Sequence, residues 1–106
     1  MDRSLAPQLR IVFPSPGFFL EDTRMAVLLD GVPVYEGSFT SGMDVCGAVQ
    51  PGKHRIQTVI GLPAGFSRNR TYEVDVRAGP GVTVVLAYSR LWGNFSRRPK
   101  IEPWPV

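Results

Sequence analysis

Apolar and polar positions along this chain alternate with a period of two. Tyr72, Val74 and Val76 are interleaved with Thr71, Glu73, Asp75 and Arg77, which predicts a strand with one face on a core and the other in water. Ile56, Thr58 and Ile60 alternate with Arg55, Gln57 and Val59, and Leu9, Ile11 and Phe13 with Arg10 and Val12. Two runs, Met25-Ala26-Val27-Leu28-Leu29 and Val82-Thr83-Val84-Val85-Leu86, are apolar on both faces. Such runs suit central strands covered on both sides, or strands whose outer face is buried by a partner. No window carries a 3.6-residue apolar stripe with capping residues, so helix is expected to be nearly absent.

The turns punctuate this pattern. Asp30-Gly31 stands between apolar flanks and predicts a tight hairpin, because both central positions tolerate positive φ. Gln50-Pro51-Gly52-Lys53 reads as a type II turn, with Pro51 fixing φ at the first central position and Gly52 supplying positive φ at the second. Ala78-Gly79-Pro80-Gly81 reverses the chain again before Val82. Pro33 lacks an N–H, which places the strand 32–37 at a sheet edge or at a bulge. The stretch 61–70 reads as a longer loop whose tip carries Arg68 and Arg70.

Taken as a meander, these signals give about seven strands, over 8–13, 24–29, 32–38, 44–49, 53–60, 70–77 and 82–90. That spacing predicts an all-β antiparallel β-sandwich, with a small barrel as the alternative. The expected core is Val27, Leu29, Ile56, Ile60, Tyr72, Val74, Val76, Val84 and Leu86. The segment 92–106 holds Pro99, Pro103 and Pro105 and reads as an extended tail over the surface of a domain spanning 1–91, docked through Trp104.

Composition narrows the picture further. A chain of 106 residues with 43% hydrophobic and 20% charged residues is one globular domain with a self-sufficient core. Its 11 Gly and 10 Pro are scattered between apolar runs as turn formers. The single cysteine, Cys46, cannot close an internal disulfide. The N-terminus shows no apolar run of signal-peptide length, and no stretch is long and apolar enough to span a membrane. A reducing, cytoplasmic setting is the expectation, although a chain that had lost a leader would read the same. Asn69-Arg70-Thr71 and Asn94-Phe95-Ser96 match the glycosylation acceptor pattern, which carries meaning only on export. The net charge of +3 is well short of that of an obligate nucleic-acid binder.

Several stretches resemble a known module. Val27-Leu28-Leu29-Asp30-Gly31, Tyr35-Glu36-Gly37, Val49-Gln50-Pro51-Gly52-Lys53-His54-Arg55-Ile56, Tyr72-Glu73-Val74-Asp75-Val76 and Gly81-Val82-Thr83-Val84 follow the order of the PEGA-type module. They are also similar to related small bacterial immunoglobulin- or transthyretin-like β-sandwiches. The resemblance covers roughly 25–86 and is carried by turn chemistry. The Pro-Glu-Gly-Ala stretch expected before the first strand is absent, and the 61–70 loop is longer. The resemblance implies a non-catalytic accessory or adhesive module bound to other proteins or to the cell envelope.

Candidate chemistry is sparse. His54 is the only histidine, so a nucleophile–base pair or a four-ligand zinc site lacks members. Cys46 stands on the preceding strand, where a hairpin would let it approach His54, yet Asp44 and Cys46 share one face and offer at most a loose cluster. Glu21, Asp22, Asp44 and Asp75 show no acid–base spacing, and no phosphate loop or nucleophile elbow occurs. We therefore expect no enzyme, no cofactor and no metal.

Two binding readings stay open. A protein partner, or a second copy of the chain, would engage the edge region through Pro33, Tyr35 and Phe39, or the apolar triple Phe18-Phe19-Leu20, with 99–106 as a further contact. Alternatively, Arg68, Arg70, Arg97, Arg98 and Lys100, with Trp92 among them, would contact nucleic acid by phosphate pairing and stacking. Asp30, Gly31, Pro51, Gly52, Gly79 and Gly81 are read as structural turn residues.

Overall fold

The computed structural model describes residues 7–15, 23–61, 67–89 and 94–103. Among these residues there is no helix. The strands are β1 (Gln8–Phe13), β2 (Arg24–Leu29), β3 (Val32–Ser38), β4 (Met43–Ala48), β5 (Gly52–Gly61), β6 (Ser67–Val76), β7 (Gly81–Val85), β8 (Tyr88–Ser89), β9 (Asn94–Phe95) and β10 (Lys100–Pro103). They form an all-β sandwich. The front sheet has the order β10-β7-β1-β4, the back sheet β3-β2-β5-β6, and β8 and β9 make a small separate ladder.

The inward rows predicted from alternation meet in one core. Leu9, Ile11, Phe13 and Val84 come from the front sheet, and Met25, Val27, Ile56, Ile60, Tyr72, Val74 and Val76 from the back. Leu86 is also fully buried, whereas Leu29 is only partly buried and packs on the core margin. The two all-apolar runs take central positions: β2 lies between β3 and β5, and β7 between β10 and β1.

The connectivity differs from a meander. Apart from the short β8–β9 ladder, only β2–β3 and β5–β6 pair with their sequence neighbours among the described strands. β4 pairs with β1, not with β3 or β5. The segments 39–42, 49–51 and 77–80 therefore carry the chain between sheets. Strand propensity and turn residues are silent on whether a reversal pairs its two strands or switches sheets. The front sheet is also mixed rather than purely antiparallel, because β1 and β7 run parallel.

Positive φ falls at the glycines expected in the turns. Asp30 and Gly31 have φ of 51° and 85°, the pair of positive values that a tight hairpin turn needs. Gly52 has φ of 130° and Gly79 of 132°. β3 is an edge strand, and a register shift leaves Val34 unpaired next to Pro33. Both consequences expected of Pro33 are thus present together.

Two expectations about the second half are corrected. Arg68 and Arg70 lie on β6, because the β5–β6 ladder runs out to Gly61 and Ser67, so no basic loop tip begins at 61. Within 94–103 the chain is not a loose tail. β10 pairs with β7, and Phe95 is buried against Phe13, Phe39 and Tyr88. Proline stops a central strand but not an edge strand, and an aromatic side chain gains more by entering the core than by staying in water.

Gly81 marks the tightest approach in the front sheet. Its φ is 125°, and a side-chain carbon there would collide with the Gln8 carbonyl and lie 2.6 Å from the Gln8 nitrogen. Gly79 has a similar φ but faces open space. Gly81→Ala is expected to lower the unfolding free energy by about 2 kcal/mol or more, and Gly79→Ala by about 1 kcal/mol. Chemical denaturation of the two variants side by side checks the order.

Candidate interaction groove

Among the described strands, β3 and β6 are the edges of the back sheet and β4 and β10 those of the front. The edges are built differently. β6 carries Arg68, Arg70, Glu73 and Asp75, and β10 carries Lys100, Glu102 and Pro103. Charges and proline of this kind keep an edge from pairing with another chain. β3 has one charged residue, Glu36, and β4 has one, Asp44. Asp44 is engaged on the outer face by Arg10, whose Nε donates to Oδ1 at 2.8 Å. That contact holds the Asp44 carboxyl below the usual carboxylate range.

Between these two lightly charged edges the sandwich is open. A cleft of about 510 Å³ lies there. Leu9 and Ile11 form its floor, Leu29 and Val34 one wall, and Val45 and Val49 the other. The period-two pattern explains the lining. Val45 and Gly47 oppose Ile11 and Leu9 in the β1–β4 register, so they face inward while Asp44 and Cys46 face out. Gly47 leaves room, since a side-chain carbon built there meets nothing within 4 Å. Val32 and Val34 are large apolar side chains left 61% and 36% exposed, where a fully sealed sandwich edge would cover them.

Of the residues proposed for protein contact, Pro33 lies on the exposed outer edge of this cleft. Tyr35 is half-buried, packs against the core and donates its hydroxyl to the Ser38 carbonyl at 2.8 Å. Phe39 is 3% exposed and sits in the aromatic cluster, with its ring 5.3 Å from Phe13 and 4.9 Å from Tyr88. It is therefore a core residue and not a contact residue. The crossing at 39–42 swings Phe39 under the sheets, and strand periodicity could not anticipate that. Phe18, Phe19 and Leu20 lie outside the described residues. Sequence reasoning missed β4 as an edge and Val45, Gly47 and Val49 as groove residues. Their apolar spacing was visible, but it gives no sign of which strand pairs with which.

The basic set is dispersed. Arg70 is half-buried and its Nε donates to the Phe95 carbonyl at 3.1 Å, so it fastens 94–96 to β6. Lys100 pairs with Glu102 at 3.1 Å. Arg68, Arg97 and Arg98 are exposed, and Trp92 lies outside the described residues. Nearby, the Tyr72 hydroxyl donates to the Ser96 carbonyl at 2.5 Å.

Catalytic and metal geometry is equally thin. Cys46 is exposed on the front sheet, opposite Arg10, while His54 belongs to β5 of the back sheet. The sheet switch at Pro51-Gly52 separates them, so the approach across a hairpin does not occur. Among the described residues no three His, Cys, Asp or Glu side chains gather as a metal site. Among them too, no helix is long and apolar enough to cross a membrane. Comparison with known proteins finds no family model, curated protein or solved structure that matches the chain.

Burial pushes the Tyr72 phenol up to about 12, against a smaller opposing influence of Arg70. In a spectrophotometric titration of the folded protein, Tyr72→Phe is expected to remove a tyrosine transition near pH 12. The same substitution leaves the Ser96 carbonyl without its donor and is expected to cost about 1 kcal/mol of stability.

Proposed function

We propose that the protein is a non-catalytic interaction module that accepts an extended segment of a protein partner along β4, with the partner's inward side chains entering the groove against Val34 and Leu29. The observation that carries this reading is the contrast between edges: β6 and β10 are charged or carry proline and β3 carries Pro33, whereas β4 has one charge, no proline and an open apolar cleft beside it. An edge strand offers unpaired N–H and C=O groups to a second chain, and pockets for alternate side chains add selectivity. β4 suits this better than β3. It pairs with β1 over six residues without a register shift, whereas β3 has lost a donor at Pro33 and is bulged at Val34.

The lining dictates the partner's chemistry. With no charged residue among the described residues that line the cleft, a matching segment carries large apolar residues at every second position. The likeness of 25–86 to PEGA-type accessory modules supports the same class of role. In this reading no turnover is involved, and the exposed Arg97 and Arg98 serve solubility.

Gly47→Val provides the test. The position is open and its backbone unstrained, so the variant is expected to gain about 0.5–1 kcal/mol of stability from a narrower unfolded ensemble. It should nonetheless lose binding of the partner recovered from the native host, because the new side chain occupies the groove. Isothermal titration at rising salt gives the second readout. Strand pairing predicts weak dependence. A steep loss that disappears in an Arg97→Ala/Arg98→Ala variant would instead identify a nucleic-acid contact.

A further inference from the structure

The tip of the β2–β3 hairpin and the corner between β4 and β5 meet at one side chain. His54 is on the inward row of β5, in phase with Ile56 and Thr58, at a position the core pattern would fill with an apolar residue. Its side chain is 11% exposed. Nδ1 lies 2.6 Å from Asp30 Oδ2, and Nε2 lies 2.6 Å from the Gln50 carbonyl oxygen. The carbonyl has no hydrogen to give, and an ionised carboxylate has none either. Both ring nitrogens must therefore carry protons for both contacts to be bonds. A neutral ring, in either tautomer, would point a lone pair at an oxygen 2.6 Å away.

Asp30 is fixed independently of the ring. Its Oδ1 accepts the Arg55 backbone N–H at 2.8 Å, and its own backbone N–H donates to the Arg55 carbonyl at 2.8 Å. The carboxylate is thus aimed at His54 by the turn, with Asp30 holding the positive φ that the turn requires.

We infer that Asp30, His54 and Gln50 form a proton-held latch, in which the imidazolium ties the β2–β3 turn to the β4–β5 corner and loss of one ring proton frees the corner. The charged groups around the ring favour this assignment. Asp30 touches it. Lys53 and Arg55 flank it on β5 and belong to the opposite, outward row. On β6 the residue across from His54 is Val74, with Glu73 and Asp75 across from Arg55 and Lys53. From the β4 side the ring meets the Gln50 carbonyl and, among the described residues, no charged side chain.

The direction of the pH effect follows. The bond to Asp30, and after it the bond to the Gln50 carbonyl, hold the His54 pKa above the ordinary histidine value, against the opposing effect of burial. The Arg55 N–H, and after it His54, hold Asp30 below the usual carboxylate range. A raised histidine contributes stability that is complete below its unfolded value of about 6.5 and is lost as pH rises through the folded value. A lowered aspartate contributes stability present above its unfolded value of about 3.9, lost as pH falls through the folded one. The latch is accordingly strongest between about pH 4 and 6.5 and opens toward alkaline pH. Leu29 and Val49 line the groove and immediately precede Asp30 and Gln50. If the groove is the docking site, a consequence that rests on the reading above, the proton state of His54 sets the shape of its end.

Because the chain has one histidine, its ring resonances report the latch without ambiguity. An NMR pH titration of the intact protein is expected to place the His54 midpoint above about 6.5. Asp30→Asn keeps a residue that tolerates the turn's positive φ and should bring the midpoint down. Amide protection at Val49 and Gly52 should fall as pH rises through the midpoint in the wild type and stay level in His54→Gln. Each pH unit of upward displacement corresponds to about a tenfold preference of the charged ring for the folded state. A wild-type midpoint at or below 6.5, an unchanged midpoint in Asp30→Asn, or protection at the corner that ignores pH would overturn the latch. Failure of the partner to bind at any pH would count against the groove alone, since none of these readouts involves a partner.

Discussion

Burial of the inward rows of β1, β2, β5 and β7 against one another is the contact on which the rest of the molecule depends. Ile11, Val27, Ile56 and Val84 are all but absent from the surface, and each is held in phase by a neighbouring strand in register. A slip of one residue in any of these strands would carry its whole apolar row to the solvent face. That penalty fixes the registers, and the registers fix which side chains reach the margins. The groove, the latch and the aromatic cluster are all consequences of where those rows run out.

The margins are finished unequally. At one end of the core Phe13, Phe39, Tyr88 and Phe95 close the space between the sheets with tilted and edge-on ring contacts. Arg70 and Tyr72 then bind the backbone of 95–96 so that Phe95 stays in place. On the β3/β4 side no comparable plug exists among the described residues. Gly47 contributes no side chain, Val34 is displaced by the bulge, and a cleft remains. An apolar row ending in open space is costly unless something covers it, which is the physical ground for treating this side as functional.

Switching between sheets creates the polar cluster around His54. Had β4 and β5 formed a hairpin, Asp30 and Gln50 would have had no reason to share a partner. Because the corner at Pro51-Gly52 crosses from front to back, the first inward residue of β5 arrives beneath the β2–β3 turn. His54 can satisfy a carboxylate and a carbonyl at once, which no aliphatic side chain at that position could do. The only histidine of the chain thus has a partner on either side and a place in the architecture.

Much of this was legible in the residues. Alternation located the seven main strands to within a few positions, marked β2 and β7 as central and picked out most of the core. Asp30-Gly31 announced its turn and Pro33 its edge, since these depend on φ preferences and hydrogen-bond donors that belong to single residues. Pairing was not legible, because period two states which face a side chain takes and never which strand lies beside it. Phe39 was read as a partner contact and Phe95 as part of a tail, and both proved to be core, for burial of an aromatic in a connection is decided by where that connection crosses. The groove and the Asp30–His54 contact likewise join residues far apart in sequence. The sequence by itself determined the local conformations and the apolar faces, through sterics and the cost of exposing hydrocarbon to water. Tertiary structure alone decided which edges stand open and which polar groups meet, because those depend on how all the strands share one core.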